Sequence, residues 1–139
     1  MANYYSMART NYFAVKNLDL FKQEIETIAS KSNPIDIWYD EDDPKLVGLG
    51  FPEGLPDAIY DEDTDETTDL EWVKVIGAHL EDDWVCVIHE IGWEKLRYLV
   101  GLAVAFNNKG GSDYISLDDV YKSAEYLGKH YTKGITNYA

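Results

Sequence analysis

The stretch Trp84-Val85-Cys86-Val87-Ile88-His89-Glu90-Ile91-Gly92-Trp93-Glu94-Lys95-Leu96-Arg97-Tyr98-Leu99-Val100-Gly101-Leu102-Ala103-Val104-Ala105-Phe106-Asn107 decides the fold. Trp84–Ile91 and Leu96–Asn107 are apolar or aromatic at nearly every position and rich in β-branched residues, which predicts two strands. Gly92–Lys95 supplies the turn that pairs them. Because polar residues do not alternate along either strand, both are expected in the middle of a sheet, with little water on either face.

Outward from this hairpin, the remaining elements follow by pattern. Tyr12–Val15 predicts a short first strand, and Asn17 caps a helix whose Leu18, Phe21, Ile25 and Ile28 recur at helical spacing. Ser30–Pro34 ends it. Ile35–Tyr39 and Lys45–Phe51 predict two strands joined by the turn Asp40–Pro44. A loop punctuated by Pro and Gly runs from Phe51 to Thr68, long enough to suggest function or disorder. Thr68-Asp69-Leu70-Glu71 matches a capping box for a helix with Leu70, Val73, Ile76 and Leu80 inward. After the loop Asn107–Ser112, Ser116 caps a last helix with Leu117, Val120, Tyr121, Ala124 and Leu127 inward, and Gly128 stops it. The order β-α-β-β-α-β-β-α predicts one α+β domain over residues 1–139, a mainly antiparallel sheet with about three helices. Its expected core is Phe13, Val15, Phe21, Ile25, Val73, Ile76, Val85, Val87, Leu102, Val104, Val120 and Leu127.

Charge is distributed unevenly along this frame. Between Asp36 and Glu71 stand fourteen acids against one base, Lys45, so this window carries thirteen of the fourteen net negative charges. Crowded charge of one sign opposes compaction and needs a reason: a basic partner, a metal ion, or a solvated loop. At this net charge, direct binding to nucleic acid or to an anionic membrane is disfavoured, and a basic protein surface is the natural partner. Tyr98–Phe106 is too short an apolar run to span a bilayer, and MANYYSMART has no basic region followed by an apolar run, so no signal peptide is expected. The one cysteine, Cys86, rules out an internal disulfide framework and fits a cytoplasmic setting.

Metal and catalytic motifs are incomplete. Asp61, Asp63, Asp65 and Asp69 match positions 1, 3, 5 and 9 of a calcium loop, but Glu66 replaces the turn glycine and Trp72 the bidentate glutamate. His89-Glu90 begins a zinc-protease motif, yet Trp93 stands where the second histidine belongs, and a strand sends the two side chains to opposite faces. Cys86 lies in an apolar strand and reads as a core residue. Gly48-Leu49-Gly50 and Gly110-Gly111 fit neither a P-loop nor a dinucleotide fingerprint and read as turn or strand-edge glycines. No nucleophile, base and oxyanion donor assemble from these pieces, so the chain is expected to be non-enzymatic, without metal or cofactor.

The acidic sector, 36–71, survives, joined by aromatics at Trp38, Tyr39, Phe51, Tyr60 and Trp72. An extended residue advances roughly 3.4 Å, close to the rise per phosphate on one strand of duplex DNA, so carboxylates there could imitate a nucleic-acid backbone. The expected partner-binding residues are Asp40, Glu41, Asp42, Asp43, Asp61, Glu62, Asp63, Asp65 and Glu66, with Trp38, Tyr39 and Tyr60 as aromatic anchors. The alternatives are a hydrated loop without a partner, a self-associating scaffold or homodimer that uses the sheet or a tyrosine-rich surface, and, third, a calcium-responsive module in which the acidic loop binds calcium weakly.

Ala8-Arg9-Thr10-Asn11-Tyr12-Phe13-Ala14-Val15-Lys16, Glu94–Val104 and Ile115–Tyr121 resemble a group of small, acidic, functionally uncharacterised proteins of phages, plasmids and Gram-positive bacteria. The resemblance spans both ends and the central hairpin but not the acidic sector. It implies a mobile-element origin. By analogy with other small acidic proteins of such elements, it also implies an inhibitor of the anti-restriction or anti-CRISPR type, acting in the bacterial cytoplasm on a nucleic-acid-binding host protein.

Overall fold

A strand not expected from the sequence runs through the middle of the sheet. The structure, a computed structural model, describes residues 5–95 and 98–130. In it Tyr5–Thr10 forms β1. Its inward residues are the small Ser6, Ala8 and Thr10, while Tyr5, Met7 and Arg9 point to the exposed side. The alternation is present, but with the large residues outward, which hides it from a search for buried apolar positions.

The other strands of this sheet are β2 (Phe13–Ala14), β3 (Asp36–Tyr39) and β4 (Leu46–Phe51), followed after the acidic sector by three more. Between them, Ala58–Asp61 (β5) and Glu66–Asp69 (β6) pair as a separate two-stranded ribbon. The later strands are β7 (Cys86–Glu94), β8 (Tyr98–Phe106) and β9 (Ser112–Ser116). Among the described residues the main sheet has seven strands in the order β2-β4-β1-β7-β8-β9, with β3 also paired to β4. Every pairing is antiparallel, as an α+β fold of this kind requires.

β1 passes from β7 towards the β4 side through a gap at Asn11-Tyr12, and two side chains repair the ladder there. Asn11 donates from Nδ2 to the Val85 carbonyl (3.1 Å) and accepts from the Val87 amide (2.8 Å). Thr10, buried, accepts from the Leu49 amide at 2.9 Å and donates to its neighbour's carbonyl. A hydroxyl and an amide at these two positions thus replace backbone partners that the break removes.

One face of the sheet is covered by two helices. Helix α1 (Leu18–Ser30) begins where the Asn17 side chain accepts from the Leu20 amide at 3.1 Å, as expected. It buries Phe21, Ile25 and Ile28, with the Phe21 and Phe13 rings edge-to-face at 5.8 Å. Helix α2 (Trp72–Gly77) buries Trp72 and Ile76, and Trp72 meets Phe51 edge-to-face at 4.9 Å. Val47, Leu49, Cys86, Ile88 and Phe106 complete this core from the strands.

Several expectations need correction. The expected loop 51–68 contains the β5–β6 ribbon; Thr68 and Asp69 lie in β6 and do not cap α2, which starts after Glu71. β7 continues through the expected turn at Gly92 to Glu94. In β7 the buried phase is Cys86 and Ile88, whereas Val87 is only half-buried and Val85, just before the strand, is exposed. The central hairpin also does not have two dry faces. Even-numbered β7 residues face the helices, and His89 and Ile91 on the other side are exposed. The last helix, α3 (Val120–Leu127), follows a 3-10 turn at Leu117–Asp119 and leaves Val120 and Leu127 exposed, Leu127 at 89%. Its apolar residues do not join the core. Leu102 is likewise exposed, and Val73 and Val104 are partly buried against the core. Among the described residues, no helix is long and apolar enough to cross a membrane.

Candidate functional site: two acidic hairpin turns

Eleven of the fourteen acids of the sector fall on two hairpins; Glu53, Asp57 and Glu71 lie outside them. In the first, β3 and β4 hold the turn Asp40–Lys45: the Asp40 amide donates to the Leu46 carbonyl (3.2 Å) and the Leu46 amide to the Asp43 carbonyl (2.9 Å). Within the turn, Asp40 Oδ1 accepts from the Asp42 amide at 2.8 Å and the Asp43 amide at 3.4 Å, and Asp43 Oδ1 accepts from the Lys45 amide at 3.2 Å. Asp and Asn favour such turns because the side chain supplies the acceptor the backbone lacks. Asp40 is half-buried, while Glu41, Asp42 and Asp43 project into solvent.

In the second hairpin, β5 and β6 pair from Ala58↔Asp69 to Asp61↔Glu66. Asp61 Oδ1 accepts from the Asp63 amide at 2.9 Å. Asp65 closes the turn with φ 55°, a left-handed conformation that Asp tolerates better than most residues. The Tyr60 hydroxyl donates to Asp65 Oδ1, and this bond raises the Tyr60 pKa by holding the phenol in its protonated form. Glu62, Asp63, Asp65 and Glu66 are exposed and Asp61 is half-buried.

All nine expected acids therefore sit on defined turns, grouped by hairpin as Asp40–Asp43 and Asp61–Glu66. Among the described residues, Glu71 is the one acid of the sector that pairs with a base, Lys74 at 2.7 Å. The rest present carboxylates with unneutralised charge. Among the described residues, no three His, Cys, Asp or Glu side chains converge to hold a metal ion.

The aromatics divide. Tyr39 and Tyr60 are exposed at 41% and 48%. Trp38 is half-buried, its indole lying under the Arg9 guanidinium with 4.9 Å from Cζ to the ring centroid. Phe51 and Trp72 are core residues and cannot anchor a partner without unfolding. The extended-chain spacing also needs adjustment. In a strand, successive side chains alternate, so same-face carboxylates stand about 7 Å apart, twice the phosphate rise. The turns, where consecutive acids crowd together, come closer to the charge density of a nucleic-acid strand.

The remaining titratable groups have structural surroundings. Cys86 is fully buried, and burial pushes its thiol up, away from the reactive thiolate. His79 is half-buried, with Nε2 3.4 Å from Glu24 Oε2 and its ring edge-on to Phe21. His89 and Glu90 do fall on opposite faces of β7; Glu90 is half-buried on the covered side, where burial and, second, the charge of Asp57 raise its pKa.

Sequence reasoning missed Arg9 and His89. They are Cα partners in β1 and β7 and line a cleft of about 390 Å³ on the exposed face with Met7, Asp36, Trp38 and Ile91. The available signal was the alternation Tyr5, Met7, Arg9. No protein-family model, no curated protein and no solved structure matches the chain.

Proposed function

We propose that this chain is a non-enzymatic binding protein of a mobile element, which uses its two acidic turns to occupy the nucleic-acid groove of a basic host protein. A defence nuclease of the restriction or CRISPR type is the target class, and the bacterial cytoplasm the setting. The observation that carries the proposal is that the carboxylates are held on hydrogen-bonded hairpin turns and left without bases, where a hydrated linker would leave them unplaced. Fixed charge of one sign steers a basic partner from a distance and loses less conformational entropy on docking. Tyr39 and Tyr60, beside the two turns, supply contact area.

The test is a pulldown from host lysate followed by a competition titration on the captured protein. DNA or RNA should compete with this chain, and affinity should fall steeply with salt, because exposed charges are screened within about 8 Å at physiological ionic strength. Neutralising Asp40, Glu41, Asp42 and Asp43 should slow association more than it speeds dissociation. Simultaneous binding of nucleic acid and this chain to the target would sink the mimic.

A second reading, a self-associating scaffold, draws on the exposed face of the sheet, where Met7, Ile91, Leu99 and Ile115 are 40–61% exposed. Sedimentation across a range of concentrations separates the two. A homodimer that survives neutralisation of both acidic turns, with no nucleic-acid-binding protein captured, favours the scaffold.

A further inference from the structure

The exposed face carries an organised row. Asp36, Gly50, Arg9, His89, Ala103 and Ile115 are successive Cα partners across β3, β4, β1, β7, β8 and β9. Gly50 shapes the row. A Cβ there would stand 2.4 Å from Trp38 Cη2, so only a residue without one lets the indole lie flat against the strand. The Arg9 guanidinium then stacks on that indole. This contact spends none of the guanidinium's N–H donors: among the described residues no carboxylate forms an ion pair with Arg9 and no group accepts a hydrogen bond from it. That is unusual company for an arginine in a chain with 26 acids.

The surroundings limit what could accept those donors. The cleft of about 390 Å³ lies within the roughly 300–1,000 Å³ of small-molecule sites, and Met7, Ile91 and the Trp38 indole give it an apolar lining. Asp36 lines the same cleft and opposes an anion there, but its strand is one further from Arg9 than the strand of His89 is. His89 is only one spacing away. With a net charge of −14, a multiply charged anion meets an unfavourable field, whereas a monoanion with a large apolar body can offset it by burial.

We infer that this cleft binds a small apolar monocarboxylate of the medium-chain fatty acid type. The tail would lie on Met7, Ile91 and Trp38, and the carboxylate would take both edge donors of Arg9, the geometry in which a guanidinium recognises a carboxylate best. His89 stands at the same end as a second donor. Neither acidic turn is needed for this, so the cleft and the nucleic-acid mimic succeed or fail separately.

The experiment uses the full chain labelled with nitrogen-15, titrated with octanoate, octanol and octylamine below their aggregation limits. Octanoate should bind saturably, shifting the backbone amides of Met7, Arg9, His89 and Ile91 and the Trp38 indole N–H. It should bind more tightly than the other two, and Arg9→Gln should weaken it by about tenfold or more. Octanol binding as well as octanoate would reduce the cleft to a greasy patch, and tighter octylamine binding would show that the net field prevails over Arg9. Either result overturns the inference, as does octanoate shifting residues away from the cleft or none at all. The contrast among the three probes is read on the unaltered chain, so it holds even where Arg9→Gln disturbs the sheet.

Discussion

The two faces of the sheet are built from the same strands and differ in what they demand of each residue. On the covered face, Phe13, Phe21, Val47, Leu49, Cys86 and Phe106 are buried almost completely, and α1 and α2 exclude water. On the exposed face, large side chains are present but half in solvent, and the shape is set by absences: Gly50 under Trp38, and Gly101, where a Cβ would stand 2.7 Å from Leu117 Cγ. Close packing is concentrated on one side and exposed large side chains on the other.

The largest expected effect lies on the covered face. Phe21→Ala removes a ring in contact with both Phe13 and His79, and should cost about 3–5 kcal/mol, read from the urea midpoint. Next comes the exposed face, tested at its tightest point. Gly50→Ala should cost about 1–3 kcal/mol by forcing the indole off the strand, and Trp38→Leu in the same chain should recover part of that loss. An additive double variant would show that the close approach is not what makes Gly50 necessary.

Glu90 tests the covered face by pH. Its folded pKa is raised, so the folded chain holds that proton more tightly than the unfolded chain does. The stabilisation is full below the ordinary glutamate value of about 4.3 and is lost as pH rises through the raised folded value. Glu90→Gln should therefore be more stable than the parent at pH 7 and show a shallower fall between acid and neutral pH. Equal slopes would mean the carboxylate is solvated. The smallest effect belongs to α3: Leu127→Ala should change stability by no more than about 0.5 kcal/mol, because the side chain is 89% exposed. A larger loss would place the helix in the core after all.

The same division explains what the sequence disclosed. Helix α1 was legible from the Phe21-Ile25-Ile28 spacing and the Asn17 cap, and β3, β4 and the central hairpin from their apolar runs. The α+β class followed from those elements. β1 was not legible, because its inward residues are small and its large ones face outward. The β5–β6 ribbon was hidden because Glu66–Asp69 is exposed at every residue and pairs with only one strand, so no apolar alternation marks it. For α3, helical spacing of Leu117, Val120 and Leu127 signalled a helix correctly, but periodicity says which residues share a face, not whether anything packs on it. Of the candidate site, the acids and tyrosines could be named from composition. Their fixation by Asx turns and the Tyr60–Asp65 bond required the hairpin geometry, and the Arg9–Trp38 stack required the strand register.

The position of β1 has a kinetic consequence. β1 precedes both of its partners in the sequence and lies between β4 and β7, its pairing residues extending from Gly50 and Phe51 to Trp93. It must wait for β4 before one edge is paired and for β7 before both are. Such long-range pairing closes large loops before any contact rewards them, which puts folding in the slow, millisecond-to-second class of sheet proteins. Through that interval Tyr5 and Met7 stand on an unpaired strand, a template for wrong partners. A nascent chain arrested before β7 is complete should therefore depend on a chaperone, whereas one released after β9 should not.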